Sequence, residues 1–104
     1  MSIDLEKVKL LFGQNLAATR RARGLSQAEL GERVNLSRVT VANIEGGKQN
    51  VHLGQIFSLA SALNASPKEL IPSPDQIQVG SQGIDELFLQ FSKKNLSELA
   101  GGAK

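Results

Sequence analysis

Between Ser26 and Gly47 the chain encodes two short helices only three residues apart, and no other feature limits the fold so tightly. Ser26-Gln27-Ala28-Glu29 is a capping box. In it the serine oxygen takes a free backbone N–H of the first turn while the glutamate reaches back to the serine's own. Leu25 stands just before the cap and Leu30 four residues after it, the places of a hydrophobic staple. The spacing predicts a helix over Gln27–Val34 that buries Ala28, Leu30 and Val34. Asn35 ends it, because asparagine tolerates the left-handed backbone better than most residues. Ser37 caps a second helix reaching about Glu45, with Val41 and Ile44 inward and Gly46-Gly47 as the stop. Two helices joined by Asn35-Leu36-Ser37 make a helix-turn-helix corner.

The remaining sequence is also helical in pattern. Leu5, Val8, Phe12, Leu16 and Leu11 recur at helical spacing behind Asp4, an N-cap, and Gly24 closes that helix. Leu53–Leu63 reads as a fourth helix with Leu53, Ile56, Phe57, Leu59, Ala60 and Leu63 apolar. Ser66-Pro67 starts a short fifth, after which Leu70 and Ile71 close the core. Residues 72–83 read as a linker, although Gln76 to Val79 alternates like a strand. Ile84, Leu87, Phe88 and Phe91 then fall on one helical stripe. The expected fold is all-α: a five-helix bundle over residues 1–71, a linker over 72–83 and an amphipathic helix within 84–104.

Composition excludes several classes of function. With no cysteine there is neither a disulfide framework nor a thiolate metal site. His52 stands alone without carboxylates at ligand spacing, so neither a metal nor another cofactor is expected, and a capping role suits it better. No nucleophile-elbow motif or phosphate-cradling glycine loop is present, so no enzyme is expected. No apolar run approaches the ~18 residues of a membrane span and no signal peptide is evident, so a cytoplasmic protein is expected. Net charge is only +2, but it is unevenly spread. Arg20, Arg21, Arg23, Arg33, Arg38 and Lys48 face three acids, Glu29, Glu32 and Glu45, whereas residues 72–104 carry four acids against three lysines. A basic middle and a slightly acidic tail suit a nucleic-acid module with a separate protein-contact element.

RGLSQAELGERVNLSRVTVANIEGGKQN resembles the Xre/Cro/phage-repressor helix-turn-helix family, and LASALNASPKELI resembles that family's fourth and fifth helices. The resemblance spans roughly residues 8–71. It implies a five-helix bundle that binds operator DNA, usually as a dimer. Gln27 then grips a phosphate at the start of the second helix, where the helix N-terminus already favours an anion. Arg38, Val39, Thr40 and Asn43 take the exposed positions of the recognition helix. Arg38 suits a guanine or a phosphate, Asn43 an adenine edge, and Val39 or the Thr40 methyl a thymine methyl. Thr40 has phosphate as its other partner. Lys48, Gln49 and Asn50 take backbone contacts, Gln49 with a share in base selection. Arg20 and Glu45 match the family's internal ion pair. Gly46, Val51 and His52 depart from the family's usual residues, which puts a phosphate contact and the start of the fourth helix in doubt. Arg21, Arg23 and Arg33 read as solvated charges.

The expected function is sequence-specific, repressive DNA binding by a homodimer on an inverted repeat, with Ile84, Leu87, Phe88 and Phe91 as dimerisation residues. Docking of the tail on its own bundle stays open. So does an antitoxin-type regulator whose tail binds another protein while the helix-turn-helix autoregulates its operon.

Overall fold

A computed structural model describes residues 2–79, with side chains through Ile77. It has five helices: α1 (Leu5–Ala22), α2 (Gln27–Val34), α3 (Arg38–Glu45), α4 (Leu53–Ala62) and α5 (Pro67–Leu70). A 3-10 turn follows at Pro74–Gln76. The helices lie in one compact unit, Asp4–Ile77. Separately, β1 (Ser2–Ile3) pairs antiparallel with β2 (Gln78–Val79), Ser2 opposite Val79 and Ile3 opposite Gln78.

The helix boundaries follow from local hydrogen bonding. Asp4 accepts from the Lys7 N–H at 3.1 Å and starts α1. Gly24, just beyond the Arg23 cap, has φ 71°, a left-handed conformation that glycine takes without steric cost. Ser26 and Ser37 cap α2 and α3 through the Glu29 and Thr40 amides, each at 3.0 Å. Asn35 turns the chain at φ 59°. His52 does cap α4, its Nδ1 accepting from the Gln55 N–H at 3.4 Å while Gln55 Oε1 accepts the His52 N–H at 3.1 Å.

Phe12, Leu16, Leu30, Val41, Ile44, Leu59, Ala60, Leu63 and Leu70 form the core. Several expected apolar residues are outside it: Leu53 and Phe57 of α4 are 68% and 56% exposed, and Ala28, Leu5 and Ile71 lie outside for local reasons. Ala28 is exposed because, at roughly 100° per residue, it faces away from Leu30 and Val34, and Gly31 takes the buried place. Leu5 shares the stripe of Phe12 and Leu16 but overhangs the bundle at the first helical position, on the rim of an open apolar hollow with Val8, Val51 and Ile56. Ile71 precedes a proline, which disfavours helical backbone. It is extended, with φ −85° and ψ 127°, and its side chain is exposed while Pro72 is buried in its stead.

The bundle also extends past Ile71. Ser73 donates its N–H to Gln76 Oε1 at 2.9 Å, and the Asp4 N–H donates to the Ile77 carbonyl at 2.7 Å. Residues 72–77, expected as linker, therefore belong to the compact unit, and the last turn is tied to the start of α1. The expected helix with Ile84, Leu87, Phe88 and Phe91 lies outside the described residues.

Two contacts set where α3 sits. Gly13 of α1 passes so close to the end of α3 that a Cβ there would lie 2.4 Å from the Ile44 carbonyl oxygen and 2.5 Å from that of Glu45. Gly31 of α2 meets the turn as closely, its missing Cβ falling 2.4 Å from the Leu36 oxygen. Only glycine permits these two approaches without backbone displacement.

Candidate nucleic-acid interface

Val41 and Ile44 bury one side of α3, which turns the opposite side outward. At roughly 100° per residue, that outward side is centred on Val39 and Asn43, with Arg38 and Ala42 beside them. Arg38 is exposed, Val39 is 58% exposed, and Ala42 and Asn43 are half-buried. Thr40 lies on the flank, where its Oγ1 accepts from the Ser37 hydroxyl at 2.9 Å. Its hydroxyl is thus already part of the cap. Ala42 was not among the expected contact residues, yet it follows Arg38 by four positions on the same face. Beyond α3, Lys48 and Asn50 are exposed and Gln49 is half-buried.

The inner end of α3 is anchored by charge. Arg20 donates from Nε to Glu45 Oε2 at 2.6 Å and from a terminal nitrogen to Oε1 at 3.0 Å, with both side chains more than nine-tenths buried. The other terminal nitrogen reaches the Leu25 carbonyl at 2.8 Å. The hydrogen bond to Glu45 raises the Arg20 pKa further above its ordinary value, outweighing the opposing effect of burial. A third helix joins here: Gln27 Nε2 donates to Glu45 Oε1 at 3.0 Å. The sequence brought out Gln27 and Glu45 separately and missed their bond.

Residues 11–71, more than half of the chain, match the family model described as a helix-turn-helix domain. This chain belongs to that family. It is an HTH-type transcriptional regulator of the Xre and phage-repressor kind. The HTH-type transcriptional regulator y4dJ of Sinorhizobium fredii is 32% identical over 80 residues, 77% of this chain and 100% of that protein. The restriction-modification controller protein C.AhdI from Aeromonas hydrophila is 44% identical, with a TM-score of 0.58 over 60% of this chain and 94% of its own. The P22 c2 repressor, solved with a synthetic operator, is 30% identical, with a TM-score of 0.55 over 59% of this chain and 92% of its own.

Within the helix-turn-helix domain two of the expected solvated arginines have internal partners. Arg23 donates to the Leu63 carbonyl at 2.7 Å and to that of Asn64 at 3.3 Å, and Arg33 to that of Ala62 at 3.3 Å. Those acceptors are carbonyls left open where α4 ends, the negative end of its dipole. At the start of α2, Ser26 holds the Glu29 carboxyl below its ordinary pKa, first through the backbone N–H and then through the hydroxyl. Among the described residues no His, Cys, Asp or Glu cluster could hold a metal ion, and no helix is long and apolar enough to cross a membrane.

Proposed function

We propose that this regulator is a sequence-specific repressor that binds an inverted-repeat operator as a homodimer. The observation that carries the reading is the division of α3 into two sides. Val41, Ile44 and Glu45 are committed inward, which leaves Arg38, Val39, Ala42 and Asn43 as an outward face with no structural task. A helix of this size fits the major groove, where arginine and asparagine pair with guanine and adenine edges and small apolar groups meet the thymine methyl. Gln27 at the start of α2, with Lys48, Gln49 and Asn50 after α3, supplies contacts to the phosphate backbone. The P22 repressor solved on a synthetic operator and the controller C.AhdI support this use of the same fold. Repression then follows by occlusion, with two recognition helices in successive major grooves about 34–36 Å apart.

Selection of bound sites from random DNA at a stated salt concentration tests this directly. The expected result is an inverted repeat with half-sites about one helical turn apart. No enrichment would sink sequence-specific binding, and a single unrepeated site would sink the dimer. Sedimentation of the full chain beside a chain ended after Ile77 tests the dimerisation role assigned to Ile84, Leu87, Phe88 and Phe91: the shorter chain is expected to be monomeric.

A further inference from the structure

One carboxylate links the two ends of the interface. Glu45 is the last residue of α3, and Gln27 is the first of α2. Glu45 Oε1 accepts from Arg20 and from Gln27, each at 3.0 Å. An ionised carboxylate only accepts hydrogen bonds, so it can be faced by the nitrogen of an amide and never by its oxygen. The Gln27 side chain is thereby held in one of its two orientations. Its nitrogen keeps a second N–H beyond the one given to Glu45. Arg20, bound to the same carboxylate through two nitrogens, neutralises a charge that would otherwise repel an approaching anion.

We propose that Glu45 is a positioning residue: it aims the free N–H of Gln27 at a backbone phosphate of DNA and fixes the distance from that grip to the outward face of α3. The proposal rests on the reading of Gln27 as a phosphate contact. Because Glu45 belongs to the recognition helix itself, the grip and the reading face move as one piece. A glutamine without this partner would sample both amide orientations, one of which presents an oxygen to the phosphate. Glu45 thus acts in binding as well as in folding, and it does so without touching the nucleic acid.

A phosphate contact does not depend on sequence, so a random-sequence DNA duplex at fixed low salt is a sufficient probe. Affinity and thermal midpoint are measured for the full chain, for Gln27→Ala, for Glu45→Gln and for the double variant. Gln27→Ala is expected to weaken binding about tenfold, in the range for a hydrogen bond to a charged group. Glu45→Gln is expected to weaken binding about fivefold when Gln27 is present and less than about twofold when it is absent, since contacting residues are non-additive. The drop in thermal midpoint caused by Glu45→Gln should persist in both backgrounds, somewhat smaller without Gln27 because their shared bond is then already absent. Equal binding penalties in the two backgrounds would mean that Glu45 acts through the fold alone and would overturn the proposal. No penalty for Gln27→Ala would instead remove the phosphate reading on which it rests. Should Glu45→Gln not fold, the unaltered chain decides by nuclear magnetic resonance. Added duplex should move one of the two Gln27 side-chain amide protons and leave the Glu45-bonded one in place; both staying fixed would overturn the proposal.

Discussion

The helix-turn-helix corner and the corner between α4 and α5 are built from the same local parts. Asn35-Leu36-Ser37 and Asn64-Ala65-Ser66 each place an asparagine in the left-handed region, at φ 59° and φ 53°. Each then tucks an apolar residue against the core and starts a helix behind a serine. The Leu36 N–H donates to the Gly31 carbonyl at 2.8 Å, and the Ala65 N–H to the Ala60 carbonyl at 2.9 Å. A capping box opens the helix before each turn, Ser26 with Glu29 and His52 with Gln55. The corners differ in what the turn meets and in how the second helix is fastened. At the first, a Cβ on Gly31 would strike the Leu36 oxygen, whereas Ala60 accommodates its methyl. The eight-residue α3 is anchored to α1 by the Arg20–Glu45 ion pair. The four-residue α5 is anchored to it by one neutral bond, from Asn15 Nδ2 to the Leu70 carbonyl at 3.0 Å. Turn chemistry therefore does not decide how the second helix is held. Its length and the anchor at its far end do.

The largest effect should come from the anchors. Arg20→Ala leaves the buried Glu45 carboxylate unpaired and is expected to cost about 3–5 kcal/mol. Asn15→Ala should cost about 1 kcal/mol, the usual net worth of one neutral hydrogen bond. Urea denaturation of both variants compares them, and equal losses would break the contrast. Next come the turns. Gly31→Ala forces backbone apart and should cost about 1–3 kcal/mol. Ala60→Gly in the other corner should cost about 1–2 kcal/mol, from helix propensity and the loss of a buried methyl. A harmless Gly31→Ala would show that the two turns are equally roomy.

The smallest effect separates the two capping boxes by pH. Glu29 has a folded pKa below its ordinary 4.5, so it binds a proton less readily in the folded chain than in the unfolded one. Its contribution is therefore complete above that ordinary value and is lost as pH falls through the lowered one. The thermal midpoint of the unaltered chain should fall relative to that of Glu29→Gln as pH is lowered through this range. Gln55, at the same place in α4, has no carboxyl to titrate.

Helix positions were legible because caps and periodicity are local. Asp4, Ser26, Ser37 and Ser66 each stand where a helix begins, and Asn35 stands where one ends. What stayed hidden depends on partners far along the chain. Nothing beside Gly13 hints that it must admit the carbonyls of Ile44 and Glu45. Arg23 and Arg33 look like solvated charges because their acceptors are bare carbonyls 40 and 29 residues away. Ala28 could have been placed correctly, since the helical period puts it opposite Leu30 and Val34. The second corner repeats the asparagine, apolar residue and serine of the first, a signal that the sequence carried and that went unread. Of the candidate site, the outward placement of Arg38, Val39 and Asn43 follows from the buried Val41 and Ile44. The Arg20–Glu45 pairing came only with the resemblance, and the bond from Gln27 to Glu45 required coordinates.

The close passage at Gly13 has a consequence for how this domain can be recombined. Segment 26–47 carries the turn, both caps and the outward face, yet the moorings of α3 at Gly13 and Arg20 lie upstream in α1. Transplanted alone, the segment would leave behind the groove that receives α3 and the cation that neutralises Glu45. The outward residues take no part in these moorings, so a substitution there leaves them in place, whereas the smallest unit that keeps the orientation of α3 begins in α1.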